Sequence, residues 1–160
     1  MNKIFTTKQV TELSSKLHDP NKPIVLVGGC FDLLHIGHIT FLEEAKKQGD
    51  TLVVLLESDA AITAEKGESR PINSQVDRAK ILAALSVVDI VIPLEPHMKD
   101  TDYDALVFAI KPAIIATTGG DANRHHKERQ AKQIDATVID VTPQISDKST
   151  SKLVTLLNEI

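Results

Sequence analysis

Tryptophan is absent from this 160-residue chain, and four phenylalanines and one tyrosine are its only aromatics. So small a set leaves little for a base-stacking surface, and a formal net charge of -4 at pH 7 argues against a general nucleic-acid binder. A single cysteine cannot close an internal disulfide, which fits a reducing compartment. No apolar run approaches the ~20 residues of a membrane span, and the opening MNKIFTTKQVTELSSKL is too polar for a signal peptide. Internal repeats and low-complexity tracts are missing as well. What is left is ordinary globular composition, 42% hydrophobic and 25% charged. The length suffices to bury roughly two thirds of the unfolded surface. The expectation is a soluble, cytoplasmic protein with no membrane or nucleic-acid partner, folded as one domain over 1–160 with an N-terminal helix and linker over 1–22.

Strands and helices alternate along the chain. A short helix over about 7–17 is followed by Pro20 and Pro23 in a linker. Ile24-Val25-Leu26-Val27 then runs apolar into Gly28-Gly29, the pattern of a strand buried on both faces. From Gly37 the spacing is helical: Ile39, Leu42 and Ala45 share a face, Glu43 and Lys47 can pair on the other, and Gly49 is a stop signal. Further strands are read at 52–56, at 90–92 before Pro93, at 113–116 and at 137–141. Further helices are read at 75–85, at 102–109 with Thr101 as cap, and at 124–134. A closing helix capped by Ser149 is expected to bury Leu153, Leu156, Leu157 and Ile160. Apolar strands alternating with helices predict a parallel sheet of roughly five strands covered on both faces, doubly wound, with ligands at the carboxyl ends of its strands.

The stretch VGGCFDLLHIGH at 27–38 places two glycines where the first strand ends and two histidines around Gly37. Glycine there permits close approach of a ligand, and the amides of the turn and helix start form an anion site, reinforced by the helix dipole. His35 and His38 both reach a phosphate lying over that start, each donating from one ring nitrogen even when neutral. Two other uses compete: capping of the helix, and zinc ligation. No Cys/His/carboxylate set at ligand spacing accompanies the pair, which disfavours a metal.

GGCFDLLHIGH resembles the signature of the H-x-G-H nucleotidyltransferases, which join a nucleoside monophosphate to a phosphorylated alcohol or sugar and release pyrophosphate. AKKQGDTLVV, SDAAITAEKGESRPINSQVDRAKILAAL, VVDIVIP, TGGD and STSKL follow in the family's order. KGESRPIN is most similar to the adenylyltransferase domain that makes ADP-heptose for lipopolysaccharide core synthesis. The resemblance implies a Rossmann-like sheet, ATP with Mg2+, a phosphorylated sugar as the other substrate, and a homodimer. It implies that His35 and His38 hold nucleotide phosphates, that Lys46 reaches toward the acceptor phosphate, and that Arg78 lies near the nucleotide phosphates. Gly29, Cys30, Phe31, Asp32 and Gly37 complete that part of the site. It implies contact of Gly119, Gly120 and Asp121 with the base or ribose, against the alternative of a polar turn capping the next helix, and Ser149, Thr150 and Ser151 match an S-T-T run at the β- and γ-phosphates. No protein metal ligand is implied.

An ionised acceptor phosphate needs no base, which agrees with the absence of a Ser/His/Asp or Cys/His arrangement. Cys30 reads as a small junction residue rather than a nucleophile. The chain departs from the family pattern at Thr118, where lysine is usual, and at Ala122, where an aromatic is usual. The QISDK run at 144–148 lacks an arginine and a glycine, which leaves Lys148 or Lys152 to serve that end. Competing readings are a cytidylyltransferase for glycerol 3-phosphate or another phosphorylated alcohol, an FAD synthetase, and a non-catalytic nucleotide sensor.

Overall fold

Strands with apolar side chains on both faces fold only where both faces are covered. The computed structural model, which describes residues 1–144 and 150–158, meets that requirement with one all-parallel sheet. Its strands are β1 (Ile24–Gly29), β2 (Thr51–Leu56), β3 (Ile90–Pro93), β4 (Ile114–Thr118) and β5 (Thr137–Thr142), in the order β3-β2-β1-β4-β5. Helices α1 (Val10–Leu17), α2 (Ile36–Lys46), α3 (Asp59–Lys66), α4 (Gln75–Ala84), α5 (Asp100–Ile110), α6 (Arg124–Ile134) and α7 (Thr150–Asn158) complete the described elements, with a 3-10 turn at Thr7–Gln9. This is the doubly wound α/β fold expected from the alternation.

Each strand divides its side chains between two cores. Val25 and Val27 of β1 join Leu52, Val54 and Leu56 of β2 beneath Phe41, Leu42 and Ala45 of α2 and Leu82 of α4. Ile24 and Leu26 point the other way, with Val53, Leu55 and Ile115, against Val10 of α1 and Leu106, Val107 and Ile110 of α5. The chain leaves β1 toward β2 on one side and returns to β4 on the other. Connections therefore diverge at the carboxyl ends of β1 and β4, and a crevice opens there.

Four details differ from the sequence reading. Helix α3 was not anticipated; Ser58 caps it by accepting the Ala61 N–H at 3.1 Å, and Gly67 ends it with φ 96°. Only Ile62 of α3 is fully buried, so no apolar stripe announces the helix. Helix α5 begins at Asp100 rather than 102, because Asp102 Oδ2 reaches back to accept the Lys99 N–H at 2.7 Å, and Thr101 lies inside the first turn instead of capping it. The chain before α1 extends the sheet edge: Phe5 N–H donates to the Val91 carbonyl at 3.0 Å and Val91 N–H to the Lys3 carbonyl at 2.8 Å. In α7, Leu156 and Leu157 are exposed, and Leu153 is only half-buried. The helix makes no extensive contact with another described element, which leaves Leu156 and Leu157 exposed. Ser149 and Ile160 lie outside the described residues.

Candidate active site

The turn that leaves β1 is built by its own side chains. A Cβ on Gly29 would stand 2.9 Å from the Phe31 ring, so this glycine is required for the turn itself. Phe31 takes φ 45°, a left-handed value that costs a bulky residue free energy and persists only where its surroundings enforce it. They do so from two sides. The Asp32 carboxylate accepts Arg70 Nε at 2.8 Å and the N–H groups of Ile72 and Asn73 at 2.9 Å, while Asn73 Nδ2 donates to the Asp32 carbonyl. Burial favours the protonated form of Asp32, but these donors outweigh it and hold the carboxyl below its usual range. Beneath the turn, Arg78 donates to the carbonyls of Cys30 at 2.6 Å, Glu57 at 2.9 Å and Asn73 at 3.0 Å, and to Asp59 Oδ1 at 2.8 Å.

Helix α2 starts where this turn ends. His35 is its cap: the ring Nδ1 accepts the Gly37 N–H at 3.1 Å, while the His38 N–H donates to the His35 carbonyl at 2.9 Å. Capping and phosphate binding are thus compatible. With Nδ1 accepting, a neutral His35 carries its proton on Nε2. The amides of Gly37 and His38 are occupied within the helix start, so side chains must supply most of the anion binding. The His38 ring lies 3.9 Å from that of His35 and 5.4 Å from that of Phe31. Burial, the neighbouring His35 and the charge of Lys66 lower His38 to about 4, against a smaller opposite effect of the Leu33 backbone; burial also lowers His35.

Across the crevice, Thr118-Gly119-Gly120 turns sharply out of β4, with Gly120 at φ 76° and a Cβ there only 3.2 Å from Gln144 Oε1. The turn delivers Asp121, whose Oδ2 accepts Thr117 Oγ1 at 2.6 Å and pairs with Lys127 of α6. Burial opposes ionisation of Asp121, yet Lys127, Thr117 and the Asn123 N–H keep its carboxyl low.

Together these pieces enclose a cavity of about 340 Å³ lined by Gly29, Cys30, Phe31, Asp32, His35, Gly37, His38 and Asp121, all expected at the site. Lys66 from the end of α3, Lys127 from α6, Thr142 at the end of β5 and Gln144 beyond it line it too. Those four were missed. Lys66-Gly67 carries only likeness in the sequence, and Lys127 falls in Arg124-His125-His126-Lys127, which reads first as a solvated helix face with a substrate role left open by its place after TGGD. The Thr142 hydroxyl is buried without a hydrogen-bond partner among the described residues.

Two expected residues lie elsewhere. Arg78 does not line the cavity; it is fully buried, and its guanidinium fastens three loops together from below. Lys46 stands at the far end of α2, about 16 Å along the axis at the usual rise, where Nζ pairs with Asp89 at 2.6 Å. Gly119 and Gly120 shape the turn without lining the cavity. Thr150 and Ser151 open α7, while Ser149 and Lys148 fall outside the described residues. Cys30 lines the cavity, but burial raises its thiol, which opposes a nucleophilic role. Among the described residues no group of three His, Cys, Asp or Glu side chains is arranged to hold a metal ion, and no helix is long and apolar enough to cross a membrane.

Residues 26–156 match the family model described as cytidylyltransferase-like. Bifunctional protein HldE of Aliarcobacter butzleri is 47% identical over 118 residues, 74% of this chain and 24% of that protein. Bifunctional protein HldE of Nitratiruptor sp. is 45% identical over 114 residues, 71% of this chain and 24% of that protein. The chain thus spans about a quarter of the length of these curated relatives. Among solved structures, a lipopolysaccharide core biosynthesis protein from Thermoplasma volcanium superposes with a TM-score of 0.61 at 31% identity, over 79% of this chain and 99% of that one. Pantoate-beta-alanine ligase from Francisella tularensis superposes with a TM-score of 0.66 over 98% of this chain and 78% of that one, and at 17% identity shares the fold alone.

Proposed function

This chain belongs to the cytidylyltransferase-like family and is a nucleotidyltransferase, and from that premise we propose that it transfers AMP from ATP to a sugar 1-phosphate, D-glycero-β-D-manno-heptose 1-phosphate. The observation that carries the reading is the convergence of four nitrogen donors on one cavity. His35, His38, Lys66 and Lys127 meet there without an activated nucleophile beside them. Such a site suits a reaction in which the nucleophile arrives already ionised. An acceptor phosphate oxygen attacks the α-phosphorus, the bond from that phosphorus to the bridging oxygen breaks, and pyrophosphate leaves with the electron pair. The protein's share is to hold two mutually repelling anions in line and to neutralise charge as it moves onto the leaving group.

The roles divide by position. Neutral His38 and the Nε2–H of His35 sit over the start of α2, where the dipole favours negative charge, and donate to the triphosphate. Lys66 answers the same charge from the end of α3. Lys127 stands where the β4 turn meets the crevice, close to where base and ribose lie beside Gly119, Gly120 and Asp121. Mg2+ accompanying the nucleotide would neutralise phosphate charge; the carboxylates that line the cavity, Asp32 and Asp121, are held by their own partners. The heptose acceptor is supported by KGESRPIN, and the structurally similar Thermoplasma volcanium protein is a lipopolysaccharide core biosynthesis protein. A homodimer, read out by sedimentation, and a cytoplasmic setting that supplies ATP belong to the same proposal.

Pyrophosphate release from ATP and from CTP, each with heptose 1-phosphate, glycerol 3-phosphate and FMN, tests the reading against hydrolysis without acceptor. ATP with heptose 1-phosphate is expected to be at least about tenfold more efficient than CTP, the consequence of ~1.4 kcal/mol of base discrimination. Equal or better use of CTP moves the protein to the cytidylyltransferase branch.

A further inference from the structure

A second cavity, of about 470 Å³, lies at the same end of the sheet on the side of α3, α5 and α6. It shares Gly28, Gly29, Cys30, Asp121 and Lys127 with the first, so the two meet at the end of β1. Its size is that of a small-molecule site. Its walls are richer in acids than the phosphate cradle: Glu57, Glu65, Asp100 and Asp121 line it, and both its arginine and its lysine are engaged. Arg129 forms a two-bond fork on Asp104 at 2.7 and 2.8 Å, and Lys127 pairs with Asp121.

Glu57 is the group that the transfer chemistry leaves unused. It follows β2 directly, half-buried, and its Oε2 accepts the Tyr103 hydroxyl at 2.9 Å. The other carboxyl oxygen takes no hydrogen bond from a described residue, and the Tyr103 oxygen keeps its accepting capacity. Leu55, Ile62, Leu94 and Val107 line the remainder with apolar surface. A carboxyl and a phenol side by side over apolar walls make poor company for a phosphate. They suit adjacent hydroxyl groups, which both donate and accept.

We propose that this second cavity takes the polyhydroxylated body of the acceptor, and that Glu57 and Tyr103 are the specificity-determining pair that reads its hydroxyls while its phosphate reaches the shared wall at Cys30 and Lys127. The assignment deepens the sugar-phosphate reading and rests on it. Burial raises the Glu57 carboxyl above its usual range, and the carboxyl oxygen not taken by Tyr103 accepts from a hydroxyl seated beside it. An acceptor seated there approaches the α-phosphorus from the side of the sheet opposite His35 and His38, as an in-line displacement requires.

The molecule carries its own probe. Tyr103 is the sole tyrosine and there is no tryptophan, so intrinsic ultraviolet fluorescence reports on this one side chain. Heptose 1-phosphate, inorganic phosphate and phosphoethanolamine are titrated against the whole chain and its Glu57→Gln variant. The proposal expects a saturable emission change with heptose 1-phosphate at concentrations about tenfold or more below those needed for phosphate, and about a tenfold weakening in the variant. In pyrophosphate-release assays, Glu57→Gln and Tyr103→Phe then raise KM for the acceptor by about tenfold, with kcat and KM for ATP little changed. A merely structural pair would shift melting temperature without that split. The proposal is overturned if heptose 1-phosphate binds no better than phosphate, if phosphoethanolamine binds best, or if acceptor KM is unmoved in both variants. Saturable, Glu57-dependent binding without any pyrophosphate release defeats the transfer reading and leaves the cavity assigned; release at unaltered acceptor KM does the reverse.

Discussion

The imidazole rings of His35 and His38 lie 3.9 Å apart, centroid to centroid, with their planes tilted by 31°. Burial and this proximity lower His38 to about 4, and burial alone lowers His35, whereas an unfolded chain protonates histidine near 6.5. Between those values the unfolded state binds a proton that the native state does not. Native stability therefore falls as pH is lowered from about 6.5 toward about 4 and levels off below. Urea midpoints measured at pH 7 and pH 5 should drop less in His38→Gln than in the wild-type protein. Equal drops would mean that the histidine pair does not carry the titration.

His35 has two roles, and substitution separates them. His35→Ala removes both the cap on α2 and a phosphate donor, so about 1 kcal/mol of stability and on the order of 100-fold in turnover should be lost together. His35→Asn replaces the cap acceptor without the imidazole, and is expected to melt like wild type while staying as slow as the alanine variant. His38→Ala should be equally slow without a capping loss. Thermal melts beside initial rates decide it; full turnover in folded His38→Ala would remove the pair from the mechanism.

The strands were legible because burial on both faces writes unbroken apolar runs such as Ile24–Val27 and Leu52–Leu56. The H-x-G-H turn was legible because its residues are local in the chain. Helix α3 was not, since a helix of 8 residues with one buried side chain leaves no stripe. Arg78 and Lys46 were misplaced for a different reason. Sequence gives a cation's position along an element but not the face it presents, and α4 turns Arg78 inward while α2 carries Lys46 away from the turn. Lys66 and Lys127 come together only through the β3-β2-β1-β4-β5 order, which no short stretch encodes.

Arg78 is expected to act on stability first. Its guanidinium serves the carbonyls of Cys30, Glu57 and Asn73 at once, and the lysine ammonium cannot span them. Arg78→Lys leaves at least two buried carbonyls short of a donor at ~1–3 kcal/mol each. A loss of ~3 kcal/mol then lowers the melting temperature by roughly 6–12 °C. Turnover of the folded protein at low temperature should stay well above the 100-fold loss typical of a deleted transition-state donor. Wild-type melting combined with such a loss would return Arg78 to the phosphates.

Asp32 and Arg70 bind the β1 turn to the loop that precedes α4, with side-chain exposures of only 1% and 6%. In Asp32→Asn the Arg70 guanidinium loses its counter-charge in a buried setting. The new amide also directs N–H groups at a site that now receives Arg70, Ile72 and Asn73 as donors. Breaking such a pair costs ~3–5 kcal/mol, and urea unfolding at pH 7 should show a loss of that order. The sign with pH follows from the lowered native carboxyl. Its contribution is complete above the unfolded value of about 3.9 and disappears as pH falls through the lower native one. Wild type and variant should therefore converge in stability as pH falls below about 3.9. Because Phe31 packs on His38 through this turn, the variant should also bind ATP more weakly even where it is fully folded. A variant as stable as wild type at pH 7 would show that the turn is held by Arg78 alone.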